Sequence, residues 1–174
     1  AGIYNHSGDT LSGLQVGGIV NRARHSAGAA SQIGGIANYS RSGTVLLQVG
    51  GINNQLDGNL QGLQVAGLFN RISDTLSGVQ VAGMVNRTRQ VSGAALQVAG
   101  LSNHTQSGTQ LLQVAGIANT ADSVDGIQVA CIVNRARKVR GLQLGLFNSA
   151  KELQGLQIGL INRSGRRVLP FFNW

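Results

Sequence analysis

Residues 63–70 read LQVAGLFN, and this eight-residue stretch recurs along nearly the whole chain. The other copies, of which the last two are one residue shorter, are LQVGGIVN (14–21), SQIGGIAN (31–38), LQVGGINN (47–54), VQVAGMVN (79–86), LQVAGLSN (96–103), LQVAGIAN (112–119), IQVACIVN (127–134), LQLGLFN (142–148) and LQIGLIN (156–162). The Asn that ends each copy recurs every 14 to 17 residues. Because a helical-pair repeat needs about 33 residues or more, this period predicts strand–turn units instead.

The residue pattern within and between the copies favours short strands. Apolar residues alternate with other residues in each copy, which is the two-residue period of a strand. Ser-Gly or Asp-Gly pairs between the copies, as at 77–78 and 57–58, are typical of tight turns. A second apolar position downstream of each Asn, as at Leu60 and Leu76, would supply the opposing wall of the same core.

These features predict an all-β fold that consists of a single parallel β-solenoid. Sixteen residues at about 3.3 Å each give a contour of about 50 Å, which suits one flattened coil with two short strands. We expect about ten turns of roughly 16 residues, shortening to 14 at the C-terminal end. The repeat domain would cover residues 1–167, and residues 168–174 (VLPFFNW) would form an aromatic C-terminal cap.

The composition argues against an ordinary enzyme domain. Of 174 residues, 42% are hydrophobic but only 11% are charged and 4% aromatic, whereas a typical domain is about 25% charged. The six acidic residues fall mostly in turns and form no pair at one offset in adjacent coils. We therefore predict no enzymatic activity, no catalytic residue, no metal site and no cofactor. No apolar run approaches the roughly 18 residues of a membrane-spanning helix, so no membrane span is predicted.

The Asn that closes each copy is interpreted as structural. Stacked coils place these residues in one column, where each amide can hydrogen-bond to the coils above and below, as in cross-β ladders. The predicted ladder consists of Asn21, Asn38, Asn54, Asn70, Asn86, Asn103, Asn119, Asn134, Asn148 and Asn162.

The Gln of each copy is expected on the outer surface. If Leu63 and Val65 point inward, the pleat turns Gln64 outward. A flat face of Gln, small residues and scattered aromatics would be either a subunit interface or simply exposed surface. Its members are Gln15, Gln32, Gln48, Gln64, Gln80, Gln97, Gln113, Gln128, Gln143 and Gln157, together with Phe69 and Phe147.

Arg residues recur at fixed offsets after the motif Asn, and the net charge of the chain is +8. Stacking converts each offset into a column, which indicates either a track for a polyanion or a solvated edge that prevents lateral pairing. No aromatic residues interleave with these Arg to stack bases, so an acidic polysaccharide is favoured over nucleic acid. The candidate contacts are Arg22, Arg24, Arg87, Arg89, Arg135, Arg137, Lys138 and Arg140.

The copies, read as GLQ-apolar-G-apolar-x-Asn, resemble a bacterial family of surface repeat proteins, and the aromatic tail is similar to the ending of that family. There is also a weaker likeness to curlins, β-solenoid subunits of bacterial amyloid fibres with a Gln-x-Gly-x-x-Asn motif. Residues 143–148 and 157–162 fit that spacing. The resemblance implies an extracellular or cell-surface location and no reaction.

Two functions remain open at this stage. The first is a self-assembling subunit of an extracellular fibre or surface layer, which would be a homo-oligomer or filament. The alternative is a monomeric surface module that binds an anionic polymer through the Arg columns. The chain starts inside a repeat, so we expect either more protein before Ala1 or another subunit over that edge.

Overall fold

The computed structural model describes residues 2–174, so the prediction about Ala1 lies outside the described residues. This part of the chain contains strands and turns but no helix. The strands are β1 (Tyr4–Leu11), β2 (Leu14–Gly17), β3 (Val20–Ser26), β4 (Ser31–Gly34), β5 (Ala37–Ser40), β6 (Thr44–Gly50), β7 (Asn53–Leu56), β8 (Asn59–Ala66), β9 (Phe69–Leu76), β10 (Val79–Ala82), β11 (Val85–Val91), β12 (Leu96–Ala99), β13 (Ser102–Ser107), β14 (Thr109–Ala115), β15 (Ala118–Ala130), β16 (Val133–Leu144), β17 (Phe147–Ser164) and β18 (Arg167–Asn173).

Neighbouring coils pair in parallel, with the repeat in register. Strand β8 pairs with β6 and with β10, so that Gln64 lies between Gln48 and Gln80. Strand β9 pairs with β7 and β11 and aligns the motif Asn residues in the same way. This arrangement confirms the predicted parallel β-solenoid of about ten coils.

The corner between the two strands of a coil is occupied by glycine in every eight-residue copy except that of Cys131, and at these glycines successive backbones approach closely. A Cβ on Gly67 would lie 2.0 Å from the carbonyl oxygen of Gly51 in the preceding coil. The same obstruction repeats at Gly83, where the distance to the Gly67 oxygen would be 1.9 Å. The corner glycines therefore allow the coils to stack at the spacing of a β-ladder.

The C-terminal strand departs from the parallel pattern. Strand β18 pairs antiparallel with β17, so that Asn173 lies opposite Gln157 and Phe172 opposite Ile158. The Asn173 Nδ2 donates to the Gln157 Oε1 at 2.9 Å and extends the Gln column by one amide. The aromatic tail therefore covers the last parallel coil with an edge strand that contains Pro170, which has no backbone N–H.

The motif Asn side chains form a continuous buried ladder. The Asn70 Nδ2 donates to the Asn86 Oδ1 of the next coil at 3.0 Å and to the Val81 backbone oxygen at 2.6 Å. Equivalent side-chain bonds of 2.8–3.1 Å link every consecutive pair from Asn21 to Asn162. Each coil therefore satisfies a buried amide and fastens itself to its neighbour.

The prediction that the Gln column faces outward is wrong. The residues from Gln32 to Gln157 in that column are fully buried, and Gln15 in the first complete copy is half-buried. The Gln64 Nε2 donates to the Gln48 Oε1 at 2.7 Å, and its own Oε1 accepts from the Gln80 Nε2 at 2.8 Å. Satisfied amides can be buried at little cost, so the column Gln15, Gln32, Gln48, Gln64, Gln80, Gln97, Gln113 and Gln128 is a second internal ladder and not an interface.

The two ladders run in opposite directions. Each Asn amide group donates to the following coil, whereas each Gln amide group donates to the preceding coil. The direction of the Asn ladder is fixed by the additional bond from Nδ2 to a backbone carbonyl, as from Asn70 to Val81.

Apolar residues fill the part of the interior that lies beyond the Asn ladder. One cluster is centred on Leu60, Ile72 and Leu76, and a second one on Val124 and Val139. Between them the interior is polar, because Thr88, Thr105 and Gln110 occupy the corresponding positions. These polar residues bond to the Gln ladder: Thr88 Oγ1 donates to Gln80 Oε1 at 2.9 Å, and Thr105 Oγ1 donates to Gln97 Oε1 at 3.0 Å.

Gln110 is the weak point of this polar segment. Its Nε2 donates to Thr105 Oγ1, but its buried Oε1 has no partner. An unsatisfied buried acceptor costs about 1–3 kcal/mol, and the next coil has Val124 at this position. We predict that Gln110→Leu raises the free energy of unfolding by about 1 kcal/mol, measured by urea denaturation.

The matched control is Gln97→Leu, the same change within the ladder. It removes the acceptor of Gln113 and Gln110 and the donor to Gln80, so we expect it to lower the free energy of unfolding by about 3 kcal/mol or more. If both variants were destabilised equally, the unsatisfied Oε1 acceptor of Gln110 would not be a source of instability.

Candidate interaction surfaces

The outer surface carries the aliphatic residues of each copy, because the Gln between them points into the interior. We call the outward side chains at the first, third and sixth motif positions the apolar wall. The first column consists of Leu14, Ser31, Leu47, Leu63, Val79, Leu96, Leu112, Ile127, Leu142 and Leu156, and the third of Val16, Ile33, Val49, Val65, Val81, Val98, Val114, Val129, Leu144 and Ile158. The sixth column, at the corner, consists of Ile19, Ile36, Ile52, Leu68, Met84, Leu101, Ile117, Ile132, Leu146 and Leu160. Ser31 is the one polar residue in the three columns.

The apolar wall is large and continuous. Many of its side chains are between 37% and 64% exposed, and the others are half-buried by their neighbours in the columns. Ten coils spaced about 4.8 Å apart make it about 43 Å long. Each of the two columns on one strand face is about 7 Å wide, so together they form a strip about 14 Å wide with an area of about 600 Å². This area is at the upper end for the largest apolar patch of a typical monomer, before the corner column is added.

The C-terminal strand prolongs this surface. Phe172 lies opposite Ile158 in the antiparallel pair and is exposed. Trp174, which follows, is 72% exposed, and the Arg167 guanidinium lies 4.9 Å from its ring centroid. The aromatic tail therefore adds exposed apolar area at the end of the wall.

Phe69 and Phe147 lie beside the apolar wall, where they are 41% and 44% exposed. They belong to the seventh motif position, which also carries polar Asn53 and Ser102. The two Phe residues of the predicted outer face are therefore on the surface, whereas its Gln residues are in the interior. The sequence analysis did not predict the apolar wall. The Gly or Ala at the fourth motif position was a signal for it, because small residues there indicate that this side of the strand faces a crowded interior. A Cβ on Gly50, for example, would lie 2.6 Å from Asn54 Oδ1.

The basic cluster near the C-terminal end differs from the expected continuous positive track. Arg137 pairs with Asp122 at 2.7 Å, Lys138 with Glu152 at 2.9 Å and Arg140 with Asp125 at 3.1 Å. The hydrogen bond from the Arg137 side chain lowers the pKa of Asp122 below its ordinary value. These three basic side chains are locally neutralised, and within residues 2–174 Arg135 forms no ion pair.

Two Arg groups in earlier coils have no acidic partner. Arg71 and Arg87 are directly opposite each other in β9 and β11, and they line one groove together with Arg89. A second groove is lined by Arg22, Arg24 and Arg41, with His6 at its edge. Across the described range, 2–174, none of these six Arg residues forms an ion pair.

His104 borders the first groove on the following coil, where it lies opposite Arg87. Burial lowers its pKa below the ordinary value, and the positive charge of Arg87 lowers it further. Since the folded chain disfavours the protonated imidazole, His104 contributes stability above pH 6.5 that is lost as the pH falls through its folded pKa.

Comparisons with protein-family models, with curated proteins and with solved structures found no match. In residues 2–174, no group of three or more His, Cys, Asp and Glu side chains could hold a metal ion. The same range has no helix of sufficient length and apolarity to cross a membrane.

The surroundings of His104 give a pH prediction. In an NMR titration, we expect the imidazole of His104 to titrate with a midpoint below 6.5, and Arg87→Gln to raise that midpoint because it removes a nearby positive charge. Thr120 lies on the other side of His104 in the same column, so Thr120→Val provides a neutral control. An unchanged midpoint in Arg87→Gln would show that Arg87 does not act on His104.

Proposed function

We propose that this chain is a structural bacterial surface protein that self-associates side by side through the apolar wall, as the building unit of an extracellular fibre or layer. The observation that carries the proposal is the set of three nearly all-apolar columns on the outside of a rod whose interior is satisfied by amide ladders. The bacterial surface location rests on the resemblance to surface repeat proteins. The proposed role involves no reaction.

The occupant that fits this wall best is a second copy of the same chain. Both walls repeat at about 4.8 Å, so side chains of one copy can interdigitate with those of the other, as in a steric zipper. With the corner column and the aromatic tail, the wall approaches the roughly 800 Å² per partner of a standard stable interface. The same surface on both partners would give a closed two-fold symmetric dimer. In this proposal the dimer is the unit from which the fibre or layer is built, through a second contact outside the wall.

Side-by-side association is better supported than continuation of the coils at the C-terminal end. There β18 covers the last parallel coil in the antiparallel sense. Its Pro170 offers no N–H to a further strand, which is a common way of blunting an edge. The wall, in contrast, runs along the entire stack.

Two outward Lys substitutions test the self-association. We predict that Val98→Lys combined with Leu144→Lys raises the dimer dissociation constant at least about 100-fold, because burying unpaired charges costs several kcal/mol. Both side chains are outward and exposed in the third column, so the fold should be retained. Sedimentation velocity over a range of concentrations measures the association.

The matched control carries the same added charge away from the wall, as Gln61→Lys combined with Gln90→Lys, both exposed positions. Cys131, which is exposed at the corner between the third and sixth columns, provides a second readout. Its labelling by a maleimide should slow with concentration in the wild type and in the control but not in the wall variant. A wild-type chain that stays monomeric at high concentration, or one that binds neutral lipid vesicles without self-association, would refute the proposal.

A further inference from the structure

We propose that the groove formed by Arg71, Arg87 and Arg89 binds sulfate groups of an acidic polysaccharide. Arg71 and Arg87 occupy paired positions on adjacent parallel strands, and Arg89 reaches the same groove from β11. Like charges directly opposite each other destabilise a sheet. Within residues 2–174 no carboxylate forms an ion pair with these three Arg residues, whereas Arg137, Lys138 and Arg140 each have an acidic partner.

The chemistry of the groove suits a sulfated sugar chain. Guanidinium groups bind planar or tetrahedral oxyanions through two parallel hydrogen bonds. The exposed amide of Gln106, also in the groove, can meet a sugar hydroxyl. No aromatic side chain lines the groove, so it lacks the stacking platform that single-stranded nucleic acids use.

The position of the second Arg group indicates a linear ligand. Arg22, Arg24 and Arg41 lie on the coils of Asn21 and Asn38, and Arg71, Arg87 and Arg89 on the coils of Asn70 and Asn86. The centres of the two groups are three coils apart, which is about 14 Å along the rod. Gln55 and Asp57 lie on the intervening coil and line a groove with Arg22 and Arg41, so a chain running along the rod would contact two Arg sites that a carboxylate separates.

A charge-matched pair of variants tests this site. In the first, Arg71, Arg87 and Arg89 are all changed to Gln; in the second, Arg137, Lys138 and Arg140 are changed to Gln. Both lose three positive charges, so the net charge of the two proteins is equal. The probe is a fluorescent heparin oligosaccharide, and binding is measured by anisotropy at several salt concentrations, with circular dichroism to verify folding.

We expect the groove variant to bind at least 10-fold more weakly than the wild type and the control variant to stay within about threefold of it. The slope of log K against log salt should become shallower by about 2–3 in the groove variant only, since each of the three lost contacts releases about 0.7–0.9 counterion fewer. An equal loss in both variants would overturn the proposal, because binding would then follow net charge and not this groove.

Two further arms separate the remaining outcomes. A single-stranded oligonucleotide of equal charge that bound more tightly than the heparin oligosaccharide would also overturn the choice of ligand. The measurements are repeated in the variant that carries both Val98→Lys and Leu144→Lys, which is designed not to self-associate. The loss of binding caused by the groove substitutions should be the same in this background, so polysaccharide binding is tested independently of self-association.

Discussion

The side-chain amide ladders are the interaction on which the rest of this structure depends. A coil of this length is too thin to enclose a large apolar core, and its two apolar clusters are small and separated by a polar segment. An Asn and a Gln in each coil supply the stabilisation that a larger apolar core would give, through hydrogen bonds between coils. Each amide finds its partner in the neighbouring coil at the spacing of the backbone ladder, so that a polar interior is satisfied as long as the stack is continuous.

The ladders also explain why the surface is apolar. Alternation along a strand forces the neighbours of an inward Gln to face outward. Leu63 and Val65 therefore lie outside because Gln64 lies inside, and the same exchange is repeated in every coil. The apolar wall is thus a direct result of the internal ladder, and natural selection could retain it only where something covers it or where the surroundings tolerate it.

Periodicity alone predicted the solenoid, its approximate number of coils and the column of Asn residues. It did not predict which face of the first strand points inward, because alternation gives two opposite solutions and we chose the one with Leu63 and Val65 in the core. The choice rested on average hydrophobicity, which ignores that an amide repeated at a fixed interval can satisfy itself. Leu60 and Leu76, for which burial was expected, are buried, since no ladder competes for their side of the coil. The sequence analysis also did not predict the carboxylate partners of Arg137 and Arg140, because these come from the neighbouring coil, 15 residues away in the sequence.

The opposite directions of the two ladders have a consequence for the whole rod. A column of amides that all point the same way adds up to a macroscopic dipole, as the peptide groups of an α-helix do. In this chain the Asn column and the Gln column contribute antiparallel dipoles in every coil, and parallel β-strands add little of their own. Coils can therefore be added by duplication of the repeat without a net dipole of the side-chain amides accumulating along the rod.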